Sequence, residues 1–167
     1  MLDAVSKGHL EIVQLLLEHN SNIEAMLYNE ATPLSVASSK GYLDIVKILL
    51  ENNANMEAKT SDIGATPLYI AAQNGHLEVV KLLLENNANI EATNNIGATP
   101  LMLASQNGHL QVVQLLLEKG ANIEASTNKG YTPLIFASEN GHLEVVKLLI
   151  ENGANNEEIR LQSSLQM

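Results

Sequence analysis

The chain has 167 residues, a net charge of −10 and no cysteine, so disulfides and thiolate metal sites are excluded. The acidic balance argues against nucleic acid and anionic membrane surfaces as partners, because both attract a basic face, and no apolar run approaches the ~20 residues of a membrane span. With only four tyrosines and one phenylalanine, the sequence predicts close-packed helical layers of Leu, Ile, Val and Ala.

Five copies of one block organise the chain. The block reads "GHLEVVKLLLENNANIEA" from Gly75, and similar segments begin at Gly8, Gly41, Gly108 and Gly141. A second marker, "TPL", begins at residues 32, 66, 99 and 132. Both markers recur every 33 or 34 residues. A shared period predicts a tandem array in which each unit buries its apolar face against its neighbours.

Each complete unit is predicted to hold two helices. In the third unit, Thr66 caps the first helix, Pro67 takes its first position and Gly75 ends it in the left-handed conformation. The second helix runs from about His76 to Asn86, with an apolar stripe at helical spacing. A residue that tolerates left-handed backbone ends this helix in every unit: Asn20, Asn53, Asn87, Gly120 and Gly153. A polar, turn-rich finger then leads to the next unit.

The two ends of the chain depart from this pattern. Met1 aligns with the leucine of "TPL", so the first unit begins inside its first helix and has no Thr-Pro cap. Met1 marks either a shortened natural cap or a boundary inside a longer array, and both alternatives stay open. No further unit follows Asn155, and we expect apolar residues of the tail to fold over the last apolar face: Ile159, Leu161 and Leu165.

Together, the 33-residue period, "G-x-TPL", "A-x-x-NGHLEVVKLLLE" and "GANIEA" resemble the ankyrin repeat, from Met1 to about Asn155. The resemblance implies an all-α solenoid of stacked helix-turn-helix units with projecting finger turns. It also implies one domain over residues 1–167. Its repeats would span about 1–30 (truncated), 31–63, 64–96, 97–129 and 130–155, with a tail at 156–167.

Two columns differ from the family pattern. The place after "TPL", which is usually histidine, is held by Ser35, Tyr69, Met102 and Ile135. We therefore expect the hydrogen-bond network of that histidine to be lost. The aspartate that opens each finger is replaced by Leu27, Ser61, Asn94 and Thr127. Glu30 also stands where the other fingers have glycine, and weaker or more varied finger turns are expected.

Recurring polar residues are interpreted as structural. The block carries a histidine in four units, His9, His76, His109 and His142, and a tyrosine, Tyr42, in the other. Stacked helices lie ~8–10 Å apart, whereas zinc needs its ligands ~2 Å away, so each histidine is expected to bond a neighbouring turn. A column of asparagines is expected to form a hydrogen-bonded ladder: Asn22, Asn55, Asn89, Asn122 and Asn155. The chain has no catalytic motif. We predict that it is not an enzyme and binds neither metal nor cofactor.

Function is expected where the units differ. The resemblance implies binding through the finger tips and the inner face of the first helices. The predicted contact residues are Tyr28, Asn29, Lys40, Asp62, Ile63, Ala65, Gln73, Asn74, Asn95, Ile96, Ala98, Gln106, Asn107, Asn128, Lys129, Tyr131, Glu139 and Asn140. Apolar anchors among amides favour a protein partner.

Three hypotheses follow. The leading one is a non-enzymatic protein-interaction module of a scaffold or adaptor, located inside the cell and in the cytoplasm. The second is an architectural segment of a longer array, which is monomeric or associates weakly end to end and has its activity elsewhere. The third is an electrostatic binder of basic targets, whose binding salt would weaken.

Overall fold

The computed structural model describes residues 1–26 and 29–157. These ranges contain ten helices and no strand: α1 Leu2–Ser6, α2 Leu10–Glu18, α3 Pro33–Lys40, α4 Leu43–Glu51, α5 Pro67–Gln73, α6 Leu77–Glu85, α7 Pro100–Gln106, α8 Leu110–Glu118, α9 Pro133–Glu139 and α10 Leu143–Glu151. The odd-numbered helices pack on one another in chain order and form one layer, while the even-numbered helices form the second. The prediction of an all-α solenoid is confirmed.

The first helix of each complete unit begins as predicted. Threonine hydroxyls at residues 32, 66, 99 and 132 accept a hydrogen bond from the backbone N–H three residues later, at 3.3–3.4 Å. Proline follows each threonine at the first helical position. It loses no helical hydrogen bond there, because the first N–H groups of a helix have no partner inside it.

The second helices also end as predicted. The residues that follow them have positive φ: Asn20 (55°), Asn53 (62°), Asn87 (67°), Gly120 (86°) and Gly153 (93°). The backbone N–H of the next residue then bonds a carbonyl of the last helical turn, as Ala88 does with Leu83 at 3.0 Å. This arrangement satisfies carbonyl groups that would otherwise lack a partner at the helix end.

The apolar core runs between the two layers and through every unit. Its largest fully buried side chains repeat with the array, as with Leu34, Leu68, Leu101 and Leu134 of the first helices. Alanines between them, such as Ala71 and Ala104, are 0% exposed and allow neighbouring helices to approach closely.

Three of the four predicted histidines fasten neighbouring units, whereas His9 of the first unit makes no such bond among the described residues. The Nε2 of His76 donates to the carbonyl oxygen of Ser39 at 3.0 Å. His109 and His142 make the same bond to Gln73 and Gln106, at 3.0 and 2.8 Å. Each imidazole therefore lies over the end of the preceding unit's first helix.

The glycine that ends the first helix makes room for this ring. A Cβ built on Gly75 (φ +75°) would lie 2.6 Å from His109 Nδ1, and Gly41 and Gly108 are covered in the same way by the next histidine. Glycine is thus needed there for its positive φ and for the missing side chain.

The predicted asparagine ladder is present, and a column of glutamates completes it. The Asn89 side chain accepts from the Glu91 backbone N–H at 3.0 Å, and the Glu91 carboxylate accepts from the backbone N–H of Asn122, one unit later, at 2.7 Å. The same glutamate link is made by Glu24, Glu57 and Glu124. The sequence contained the signal, the recurrent Glu of "NIEA", but its role across the units was missed.

The finger turns vary, as one of the two predicted alternatives has it, but those of the fourth and fifth units keep their side-chain hydrogen bonds. Asn94 Oδ1 accepts from the backbone N–H groups of Ile96 (3.1 Å) and Ala98 (2.9 Å), and Thr127 Oγ1 accepts equivalent bonds. These oxygens replace the carboxylate of an aspartate.

In the third unit Thr60, rather than Ser61, opens the finger. Its backbone N–H donates to the Ala65 carbonyl at 3.1 Å, as Asn94 does to Ala98. This finger is one residue longer than the next, and the additional residue lies between Thr60 and Ala65, inside the turn. Glu30 has a φ of +60° in place of glycine. The predictions for Leu27 and for Ile159, Leu161 and Leu165 lie outside the described residues.

Candidate partner-binding surface

The finger tips form one continuous row. The backbone N–H of Ser61 donates to the Asn29 carbonyl at 2.9 Å, that of Asn95 to the Ile63 carbonyl at 2.9 Å, and that of Asn128 to the Ile96 carbonyl at 3.0 Å. These bonds tie each finger to the one before it. They hold the finger side chains in fixed register beside the first helices.

A first groove opens between the second and third fingers. It has a volume of about 250 Å³. Its wall is largely aliphatic, with Val36 and Ile70 from the first helices and Ile63 from the finger. The exposed Lys40 and Asp62 place one cation and one anion on its lining. Ser35, in the place after "TPL", leaves the space that a larger side chain would fill.

Asp62 is held ionised at the edge of this groove. The Thr60 hydroxyl and the Ile63 backbone N–H, the latter at 2.7 Å, hydrogen-bond its carboxylate and hold its pKa below the usual value. Hydrogen bonds that stabilise the charged form have this effect. The exposed carboxylate therefore offers a fixed negative charge at neutral pH.

Between the third and fourth fingers, buried side chains fill the space where a groove would otherwise lie. Tyr69, in the place after "TPL", packs with Met102, Leu103 and two finger alanines in a small second apolar cluster. Its hydroxyl accepts a hydrogen bond from Asn94 Nδ2 of the next finger at 2.9 Å. Burial raises the pKa of the Tyr69 hydroxyl, and the Asn94 bond opposes this effect. A tyrosine thus makes an inter-unit link where the family's histidine is missing.

A second groove lies beyond the filled segment. It has a volume of about 380 Å³ and lies between the last two described fingers and α9. The Tyr131 and Phe136 rings form part of its wall, with centroids 5.4 Å apart and tilted by 37°. Ile96 lines the other side, and Lys129 is the charged residue of the lining.

Many of the predicted contact residues therefore line the two grooves. Asn29, Lys40, Asp62 and Ile63 line the first, and Ile96, Asn128, Lys129 and Tyr131 line the second. Ile63 is 43% exposed and Ile96 57%, so both are large apolar side chains facing solvent.

Two predicted contacts are corrected by burial. Ala65 and Ala98 are each 1% exposed and belong to the apolar cluster around Tyr69. They support the finger bases and offer a partner almost no surface.

The ends of the first helices contribute less than predicted. Asn74, Asn107 and Asn140 donate their side-chain amides to carbonyls of their own helices at 2.8–2.9 Å. Gln73 and Gln106 are half-buried, whereas Glu139 is exposed. Asn95 Nδ2 bonds the Asp62 carbonyl at 3.3 Å. Tyr28 lies outside the described residues.

Sequence reasoning missed the walls of the grooves. Val36, Ile70 and Phe136 are half-buried on the first helices and line the grooves, but each was treated as part of the general helical pattern. A signal was available, because these residues share one repeat position, which differs between the units.

The described residues show no arrangement suited to metal chemistry or to a membrane span. Over residues 1–26 and 29–157, no three His, Cys, Asp or Glu side chains converge on a point that could hold a metal ion. In the same ranges, no helix combines the length and the apolar character needed to traverse a bilayer.

The chain matches a known protein family. The family model described as ankyrin repeats (3 copies) matches residues 1–94 and 89–160. A comparison with curated proteins gave no match. Ankyrin repeats are generally protein–protein interaction modules and typically non-enzymatic.

Proposed function

Because this chain belongs to the ankyrin-repeat family, we propose that it is a non-enzymatic scaffold or adaptor module that binds a partner protein through its finger tips and the concave face of its first helices. The observation that supports this function is the pair of grooves on either side of Tyr69. Both are lined by residues that differ from unit to unit.

The two grooves suit a partner that presents two apolar anchors. Ile63 and Ile96 project beside the grooves, and exposed apolar side chains that lose water on binding supply most of the energy of such interfaces. Amides from the finger tips surround them and can bond a partner's backbone. The filled segment around Tyr69 separates the two anchor positions.

The proposal extends to the organisation of the chain. Residues 1–167 are one domain with repeats at about 1–30, 31–63, 64–96, 97–129 and 130–155 and a tail at 156–167. The domain works inside the cell, in the cytoplasm. Its matching helix pairs and its lack of cysteine support this organisation and this location.

The test is capture of partners by the chain and by the double variant Ile63→Glu/Ile96→Glu. Lysate of the source organism supplies the partners, and a captured protein is then titrated against each form. We expect the variant to lose its partner, because each carboxylate would have to be desolvated in the interface. Circular dichroism checks that the variant keeps its helices.

A charge-matched control uses the outer layer. Leu43→Glu/Gln111→Glu adds the same two negative charges at exposed positions of α4 and α8. It should bind as the native chain does. Equally tighter binding by both variants would favour the electrostatic hypothesis, because added negative charge strengthens the attraction of a basic target. Unchanged binding by both would reject the finger surface. High salt should leave the native affinity largely unchanged if apolar anchors dominate.

A further inference from the structure

Each junction between complete units is built from matching halves. The earlier unit supplies the carbonyl and glycine at the end of its first helix and a glutamate carboxylate. The later unit supplies a histidine ring, an asparagine backbone N–H and an apolar residue of its second helix. At the third junction these parts are Gln73, Gly75 and Glu91 on one side, and His109 and Asn122 on the other.

The first unit carries the groups that a later unit contributes to a junction. Among the described residues, no earlier unit packs against them. Ile12 is 48% exposed, whereas its equivalents in the following units are 1–2% exposed: Ile45, Val79, Val112 and Val145. Leu15 on the same helix is 56% exposed. Among the described residues, the His9 ring and the Asn22 backbone N–H have no hydrogen-bond partner. We call His9, Ile12, Leu15 and Asn22 the leading face.

The last unit carries the groups that an earlier unit contributes to a junction. Within the described ranges, no atom lies within 4 Å of the Cβ position of Gly141, although the equivalent glycines are covered by a ring of the next unit, a tyrosine at Gly8 and a histidine at the other three. Leu143 and Ile150 of α10 are 61% and 41% exposed. The Glu157 backbone N–H bonds Asn155 Oδ1 at 3.0 Å, which holds Glu157 in the same turn as the ladder glutamates. We call Glu139, Gly141, Leu143, Ile150 and Glu157 the trailing face.

We propose that the trailing face of one copy of this chain binds the leading face of a second copy and repeats the internal junction. His9 Nε2 would donate to the Glu139 carbonyl, with its ring over Gly141. The backbone N–H of Asn22 would donate to the Glu157 carboxylate. Ile12 and Leu15 would be covered by the last unit, as their equivalents are inside the array.

A second copy is the occupant that the faces fit, because both halves of the junction lie on one chain. The contact is heterologous, since two different surfaces meet, and each bound pair keeps one free face of each kind. Association therefore proceeds beyond the dimer. The charge of −10 on each copy opposes it, so added salt should strengthen the contact by screening this repulsion.

Sedimentation velocity of the full chain tests the proposal. From about 1 μM to about 1 mM, a range that covers weak complexes, the average mass should rise above 18.1 kDa, and more so in high salt. Ile12→Glu and Ile150→Glu place a carboxylate in the leading and trailing face, respectively. Each variant alone should associate at least about tenfold more weakly, because the carboxylate loses its water in the contact.

Mixing the two variants gives the sharpest result. Ile12→Glu keeps an intact trailing face and Ile150→Glu an intact leading face, so a mixture should form dimers at native affinity and nothing larger. Ile63→Glu, on the finger surface, is the control and should associate as the native chain does. Loss of partner capture and loss of self-association are therefore tested by different substitutions, so the two proposals can be rejected separately.

Three outcomes would overturn the proposal. A mass of 18.1 kDa at every concentration is one, and it is the result expected if the C-terminal tail covers α10. A second is association that Ile12→Glu abolishes and Ile150→Glu leaves unchanged, which would mean that two leading faces meet. A third is a mixture of variants that stays monomeric although circular dichroism shows both to be folded.

Discussion

The fit of the histidine ring against the helix-ending glycine can be tested by adding one methyl group. Gly75→Ala places a Cβ 2.6 Å from His109 Nδ1 and 2.8 Å from His109 Cγ. Real carbon atoms do not approach this closely, so the ring must move. Its bond to the Gln73 carbonyl, now 3.0 Å, would be lost with it. Gly141→Ala is the matched control, because Gly141 has almost the same φ (+74°) and open space among the described residues.

Gly75→Ala should lower the free energy of unfolding more than Gly141→Ala does. The difference measures the contact between the histidine ring and the glycine. Alanine in the left-handed region costs about 1 kcal/mol in both. Gly75→Ala adds about 1–2 kcal/mol for the displaced ring and about 1 kcal/mol for the hydrogen bond. We expect losses of about 1 kcal/mol for Gly141→Ala and about 3–4 kcal/mol for Gly75→Ala. Urea unfolding followed by circular dichroism measures both.

A double-mutant cycle separates the contact of His109 with Gly75 from any effect of where a unit lies in the array. His109→Ala removes the ring, so in that background Gly75→Ala should cost only the backbone term of about 1 kcal/mol. If Gly75→Ala costs no more than Gly141→Ala, or if its full cost persists without the ring, the account of the junction is wrong.

Three further changes should alter stability in defined directions. Ser38→Ala and Ser105→Ala should each stabilise the chain by about 1 kcal/mol in urea unfolding, because both hydroxyls are buried without a hydrogen-bond partner among the described residues; the exposed Ser138→Ala should gain less. Glu30→Gly should stabilise by about 1 kcal/mol in the same assay, because Glu30 has a φ of +60°. The free energy of unfolding should fall as pH rises above 10, because the folded pKa of Tyr69 is raised and the unfolded chain loses this proton first; Tyr69→Phe should remove that part of the pH dependence.

Each of these changes has an opposite result that would count against it. A less stable Ser38→Ala variant would mean that its hydroxyl has a partner. Destabilisation by Glu30→Gly would mean that the glutamate side chain holds its finger. An unchanged slope above pH 10 in Tyr69→Phe would mean that this hydroxyl titrates alike in both states.

Local signals allowed most of the fold to be predicted. The Thr-Pro pair, the helix-ending glycine and the asparagines at positive φ each act within a few residues, so the sequence around them decides the backbone. The histidine links were also predictable, because histidine recurs at this position in four of the five units. The glutamate link of Glu91 to Asn122 was missed, because its two ends are a unit apart and glutamate is also common on solvated faces.

The candidate surface was less predictable, because exposure depends on packing between units. Ala65 and Ala98 stand in the fingers beside exposed residues, yet the cluster around Tyr69 buries them. The grooves depend on whether a side chain such as Ser35 or Tyr69 fills the space between two fingers. That depends on neighbours one unit away. Ser61 was predicted to open its finger in place of Thr60, since only the backbone bond of Thr60 to Ala65 shows where the turn opens.

Tyr42, the one residue that interrupts the histidine column, has a mechanical consequence. Its ring packs 3.1 Å from the Cβ position of Gly8, and the described residues show no histidine-type bond at this first junction. Every junction joins only adjacent units, so a chain pulled from its two ends should lengthen in steps of one unit rather than rupture at once. The unit before Tyr42 should detach at the lowest force, and the histidine-clasped middle should yield last.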